Sequence, residues 1–438
     1  MGRQPLAVLG EPAGVLNQAG DGAALERPNP GFAGQRREPG LPNNNPLKYS
    51  QLPGILTLLH KLGSAMSGSL LEVFDTIDDP RAEKNRLYRL DEVLLVCVCA
   101  VISGAEGWSA MAQFGWTKLD WFKRFLPYEN GIPNEDTIAW LFKRLDIKAF
   151  ERCFVQWAAD LASASDGEVI AIDGKTARRS HDRRRGQSPL HVVSAWACEQ
   201  RLSLGQLATE QKSNEITAIP ELLPLLDVRG ALITVDAMGC QKDIAEAIVT
   251  QQADYVLALK GNQGRLHEAV VDYFTVAEAA DFAGVAGQFK DTQDTGHGRI
   301  ETRTHYWVDD LSSLPDTAQW PGLAAIGMGV STRTDKASGK STTERRYYLC
   351  STRSIDVFAH AARAHWGVEN PLHWVLDMVF REDESRIRSG DSPALMNQLR
   401  QMANNLLRQV DSKLSVKARR FQAGIDDTFR ERVVFQGA

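Results

Sequence analysis

Between Glu168 and Lys260 the chain passes through three strand-like segments, a helix, a strand, a helix and a strand, and few folds accept that order. EVIAID (168–173), LHVVSAWAC (190–198) and SLGQLATE (203–210) are short, apolar or alternating, and close together. A helix is expected from about Glu215 to Leu226, shortened by Pro220 and Pro224. ALITVDA (231–237) follows as a buried strand, KDIAEAIVTQQ (242–252) as a helix and DYVLALK (254–260) as another buried strand. Adjacent strands pair as hairpins and a strand–helix–strand unit returns parallel to itself, so the segment predicts a mixed α/β layer.

This order is that of a ribonuclease H-like fold, although periodicity alone does not separate it from other α/β layouts. From Leu70 to about Ser165 the pattern is helical, punctuated by Gly104, Gly107 and Pro127. Within Pro133–Thr137 an Asn or Asp is placed to cap a helix carrying Lys143 and Arg144, for which packing and groove-reading roles both stay open. Leu266–Ala280 reads as helix, Gly287–Cys350 as strand-rich, and Ile355–Arg408 as helical again. The expected organisation is a helical domain over 66–165, then an α/β domain over 166–410 with a β-rich insertion at about 285–351. A tail over 411–438 follows, and from Phe421 it shows no interpretable pattern. Residues 1–46 hold eight Gly and seven Pro, so 1–65 is expected to be a disordered, low-complexity extension. Met66 directly precedes the first periodic pattern and is a candidate translation start.

The longest apolar run, Val93–Ile102, is about half the ~20 residues a membrane span requires, so no membrane segment is expected. Six cysteines without a CxxC pair or a disulfide ladder point to the reducing cytoplasm. The net charge of −5 speaks weakly against nucleic acid, but its distribution speaks for it. Lys175, Arg178, Arg179, Arg183, Arg184 and Arg185 form one basic block; Arg400, Arg408, Lys413, Lys417, Arg419 and Arg420 form a second. Either is a solvated charge run or a phosphate-contacting surface.

Three carboxylates stand in distinctive settings: Asp173 in AIDGKTARRS, Asp236 in ALITVDAMGCQK and Glu369 in RAHWGVENPLHW. Ligands of α/β sheets gather at the carboxyl ends of strands, and two such aspartates on neighbouring strands are placed to converge. With a third acid they hold oxygen ligands for two divalent ions, the chemistry of phosphoryl transfer on nucleic acid. Singly, Asp173-Gly174 is also a hairpin signal and Glu369 an ordinary helical glutamate. Asp377 and the cluster Glu382, Asp383 and Glu384 rival Glu369, and spacing does not choose between them. His365, Glu369 and His373 at i, i+4 and i+8 also raise a zinc alternative, opposed by Pro371 and the lack of an HExxH motif.

AIDGKTARRS, KSNEITAIPELL, ALITVDAMGCQKDIA, DYVLALKGNQGRL, GHGRIETR, ARAHWGVENPLHWVLDMVFREDESRIRSG and MNQLRQMANNLLR occur in this order. From about Leu70 to Arg430 the chain resembles the ISAs1 transposases, the H-repeat-associated group within the IS4-like DDE transposases. The resemblance implies a helical transposase-associated domain and a ribonuclease H-like catalytic domain with a β-rich insertion before the catalytic glutamate. It places Asp173, Asp236 and Glu369 in the three DDE positions and so selects Glu369 among its rivals. It further implies two Mg²⁺ or Mn²⁺ ions, and strand cleavage and transfer on DNA: the inverted-repeat ends of its own element and a target. A homodimer in the synaptic complex follows from joining two ends. On this reading Lys175, Arg178 and Arg179 hold the DNA backbone, while His297, Arg299 and Arg303 approach the element end. Lys260, Asn262 and Gln263 contact phosphate or cap the next helix. The wider IS4-like pattern has Tyr, Arg and Lys where this chain has Ala362, His365 and Leu376, so their contacts do not carry over. A degenerate, catalytically silent DNA-binding derivative and a nuclease unable to join strands are the alternatives.

Overall fold

The computed structural model describes residues 70–435 except 163–166, 182–185, 187, 210–214, 286 and 297. The N-terminal extension, Met66, His297 and Arg183–Arg185 therefore lie outside the described residues.

Among the described residues six α-helices come first: α1 (Leu70–Phe74), α2 (Leu90–Ile102), α3 (Trp108–Thr117), α4 (Leu119–Phe122), α5 (Glu135–Phe142) and α6 (Ile147–Leu161). All thirteen residues of α2 are buried, as its unbroken apolar run requires, and Asn134 caps α5 by accepting from Thr137 N at 2.9 Å. Arg144, just past the end of α5, lies over the Trp140 ring at 4.0 Å.

The α/β part follows with β1 (Val169–Thr176), β2 (His191–Ala197), β3 (Leu202–Thr209), α7 (Glu215–Leu222), β4 (Leu232–Val235), α8 (Lys242–Thr250), β5 (Asp254–Leu259) and α9 (Gly264–Ala279). Next come β6 (Gly287–Gly296), β7 (Arg299–Val308), β8 (Ala325–Asp335), β9 (Ser341–Cys350) and α10 (Ile355–Ala364). A π-helix (Val368–Trp374), α11 (Val375–Met378), α12 (Ser392–Gln409), α13 (Val416–Ile425) and α14 (Asp427–Phe435) complete it.

The nine strands form one sheet in the order β3-β2-β1-β4-β5-β9-β8-β7-β6. β1, β2 and β3 pair antiparallel, whereas β1, β4 and β5 are parallel neighbours. This is the ribonuclease H-like core expected from the element order. The insertion is no separate β module: β9 pairs antiparallel with β5, from Val256↔Cys350 to Leu259↔Tyr347. Strand β5 would otherwise present an open edge of unpaired N–H and C=O groups, and the insertion covers it.

Alternation along the strands divides the packing. Ile170, Ile172, Ile233 and Val235 join the core under α7, α8 and α9. Val169 and Leu232 face the opposite way, against Phe358 and Ala361 of α10. Ala171 also faces this way, into the large helical core shared by α2, α6, the π-helix and α12. The N-terminal helices thus share a core with the C-terminal ones.

The segment without a readable pattern, from Phe421, holds the second half of α13 and all of α14. Its periodicity is hidden because arginines take core positions: Arg430 is fully buried, with its guanidinium 4.3 Å over the Trp121 ring and donating to Ala423 O at 3.0 Å. Arg420 donates to Val101 O and Ala105 O at 3.0 and 3.2 Å. Arg400 is buried beside Glu382. For Arg400 and Arg420 of the second basic block the phosphate-contacting alternative is corrected, because their partners are internal carbonyls, a ring and a carboxylate.

Candidate catalytic site

Parallel pairing of Ala171 with Thr234 and Ile172 with Val235 brings Asp173 and Asp236 to adjacent strand positions at the carboxyl end of the sheet. Period-two alternation from Ala171 and Thr234 turns both aspartates toward α10 and the π-helix. Glu369 reaches the same place from the second position of the π-helix. All three carboxylates line one cavity of about 380 Å³, together with Lys260, His365, Trp366, Arg346 and Tyr348.

Pro371 does not end the helix. The chain widens into a seven-residue π-helix around it, a rare form that recurs at functional sites. An α-helical ladder would need the N–H that proline lacks.

At Asp173 the electrostatics are those of a buried acid among other acids. Burial, then the charge of Asp236 and more weakly those of Glu215 and Glu369, push the Asp173 carboxyl up to about 7. Its Oδ1 accepts from Gly174 N at 2.9 Å, and Asp236 Oδ1 accepts from Met238 N at 2.9 Å and Gly239 N at 3.2 Å. Asp173 is thereby oriented by the next N–H within β1 and Asp236 by the turn that follows it, each with one oxygen uncommitted by these bonds.

The rivals of Glu369 are occupied. Lys175 Nζ lies 2.7 Å from Asp377 Oδ1 and 2.5 Å from Glu382 Oε2, and Asp383 meets Arg178 at 3.3 Å. Burial opposes the lysine charge, but Glu382 and Asp377 outweigh it and hold the Lys175 pKa above its usual value. Lys175 is therefore an internal counter-ion, which corrects its expected place on the DNA backbone. Arg178 and Arg179 are exposed beside it.

Asn262 Nδ2 donates to Ala237 O and Gln263 Nε2 to Cys240 O, both at 2.7 Å, so these side chains brace the turn after Asp236. Arg303 is held by Asp294 and Glu301 at 2.6 and 2.5 Å, while Arg299 at the start of β7 is exposed. Of the insertion's expected contacts, Arg299 is the exposed one among the described residues.

Sequence reasoning missed a buried pair behind the site. His191 Nε2 lies 2.6 Å from Glu215 Oε1 and its Nδ1 lies 2.8 Å from Thr176 Oγ1. A Cβ on Gly174 would meet both the His191 ring and the Glu215 carboxylate, so the glycine of AIDGK, which lies inside β1 and not in a hairpin turn, is demanded by close approach. The signal was present as Glu215 within KSNEITAIPELL, but nothing in its spacing relates it to Asp173.

Residues 164–406 match the family described as "Transposase DDE domain", and residues 71–158 match "DDE_Tnp_1-associated". The chain belongs to the DDE transposase family. A relative named "Putative transposase YncI" from Escherichia coli O157:H7 is 43% identical over 84% of this chain and 94% of its own length. One named "H repeat-associated putative transposase YhhI" from Escherichia coli K12 is 44% identical over 77% of this chain and 90% of its own. A shorter match from Escherichia coli K12, 46% over 16% of this chain and 83% of the relative, is named "Inactive transposase YbfQ". Among solved structures, a piggyBac transposase synaptic complex with hairpin DNA aligns over 83% of this chain and 80% of its own, at 10% identity and TM-score 0.39. No helix among the described residues of this family member is long and apolar enough to cross a membrane.

Proposed function

We propose that this DDE family member cleaves and joins DNA at the inverted-repeat ends of its own insertion sequence, with Asp173, Asp236 and Glu369 as the metal-binding carboxylates. The observation that carries this reading is their convergence on one cavity from two parallel neighbouring strands, Asp173 within β1 and Asp236 just past β4, and one helix.

The donor set fits a hard divalent cation. Three carboxylates face the cavity, and the raised Asp173 carboxyl marks negative charge that a cation would relieve. Among the described residues no three His, Cys, Asp or Glu side chains close into a ready cage. That suits Mg²⁺ or Mn²⁺, since Mg²⁺ commonly takes one or two carboxylates and completes its shell with water and substrate phosphate. Two such ions, when bound, polarise the scissile phosphate and neutralise charge on the oxygens entering and leaving it.

The chain's own residues supply position. Asp173, Asp236 and Glu369, which line the cavity together, would hold the ions. Lys260, exposed at the cavity rim, holds a phosphate of the bound strand, and Arg178, Arg179 and Arg299 extend the backbone contacts. Two copies bring two ends together, in the cytoplasm and on the nucleoid of a bacterium.

Labelled terminal-repeat DNA with purified full-length protein, in Mg²⁺ or in chelator, tests the reading by scoring binding, nicking and joining. Mg²⁺-dependent nicking and joining are expected. Binding without nicking would replace the proposal with a silent DNA-binding derivative, and nicking without joining with a nuclease.

A further inference from the structure

Two histidines tie the helix of Glu369 to the sheet, each four residues from the glutamate. His365 Nδ1 lies 2.9 Å from Thr234 Oγ1. Thr234 is two residues before Asp236, so it stands on the same face of its strand. On the other side, His373 Nδ1 lies 3.6 Å from Asp173 Oδ2. Glu369 is thus bracketed by one contact toward each aspartate-bearing strand.

Neither ring is arranged as part of a zinc site. The His365 Nδ1 is engaged by a hydroxyl, and the His373 Nδ1 faces the Asp173 carboxylate. Burial drives His365 down to about 4; burial together with Lys175 does the same for His373. His365 acts as a directional hydrogen-bonding group toward Thr234, whereas His373 packs against the Asp173 carboxylate at 3.6 Å, beyond hydrogen-bond distance. The backbone between them is π-helical and interrupted by Pro371, so the placing of Glu369 depends on side-chain ties to either side.

We propose that His365, through Thr234, and His373, through Asp173, are positioning residues that register Glu369 against the two aspartates and set the site's affinity for a divalent cation. The proposal rests on the metal-site reading above.

Mn²⁺-induced thermal stabilisation of the full chain, without DNA and against each variant's own metal-free melting temperature, tests it. Thr234→Val removes one hydroxyl; His365→Phe fills the space without the hydrogen bond; His365→Asn keeps a group able to reach Thr234. The half-saturating Mn²⁺ concentration is expected to rise about 10–100-fold in Thr234→Val and His365→Phe, and to stay within about threefold in His365→Asn. His373→Phe shifts it in the same direction. Should His365→Phe fail to fold, the single-atom exchange at Thr234 still decides. Wild-type midpoints in Thr234→Val and His365→Phe, with the response lost in Asp236→Asn, would overturn the positioning role and leave the metal site intact. No response in the wild type, or an undiminished one in Asp236→Asn, would overturn the metal reading itself.

Discussion

Lys175 Nζ stands 2.7 Å from Asp377 Oδ1 and also binds the buried Glu382, so the lysine two residues past Asp173 is an internal tie. Strand β1 delivers Asp173 to the cavity and, one alternation later, anchors the chain that follows Glu369. Replacing Lys175 by Met removes one of the two cations beside the buried Glu382, Arg400 being the other, and is expected to cost about 1–3 kcal/mol in urea unfolding. Full stability in that variant would contradict the role assigned to the pair.

Arg178 and Arg179 behave differently. Both are exposed beside the site, and their joint replacement by Ala is expected to leave the melting temperature unchanged. The dependence of DNA affinity on salt should flatten, with the log–log slope falling by about 1 for each phosphate no longer neutralised. An unaltered slope would remove them from the DNA surface.

Gly174→Ala puts a methyl group against the Glu215 carboxylate and the His191 ring, both buried. Overpacking at such a place costs about 1–3 kcal/mol. Thermal unfolding at neutral pH reads this, and a wild-type melting temperature would show that the pair moves aside without penalty.

Asp173 sets a pH dependence for the metal-free protein. Its pKa rises from 3.8 to about 7 on folding, so the folded state binds more protons than the unfolded state between those values. Stability is full below about pH 4 as far as this group is concerned, and falls as pH climbs through 7. In chelator, Asp173→Asn is expected to melt higher than the wild type at pH 8, with the gap closing toward pH 4. A gap independent of pH would exclude the crowded carboxylate as its source.

Much of this site is legible in the chain because strand alternation is strict. Ala171 and Thr234 face one way, so Asp173 and Asp236 must follow them; Asp236 was readable as a strand-end group, whereas β1 runs on past Asp173 to Thr176. Glu369 was legible only through family resemblance, since Asp377 and Glu382 had equal claims until Lys175 was seen to neutralise them. The insertion's strands were readable, but their joining to β5 was not, because edge pairing depends on contacts between Val256 and Cys350 that no local pattern records. Helices α13 and α14 escaped for the opposite reason: Arg420 and Arg430 occupy core positions where periodicity seeks apolar side chains. The same burial made the second basic block look like a surface.

The most direct test of the central claim is Mg²⁺-dependent nicking of terminal-repeat DNA by Asp236→Asn beside the wild type, at matched melting temperature and DNA affinity. The neutral amide keeps the strand-end turn but removes a metal-binding charge, so cleavage should disappear while binding remains. Cleavage at the wild-type rate would contradict the assignment of Asp236, and with it the three-carboxylate site.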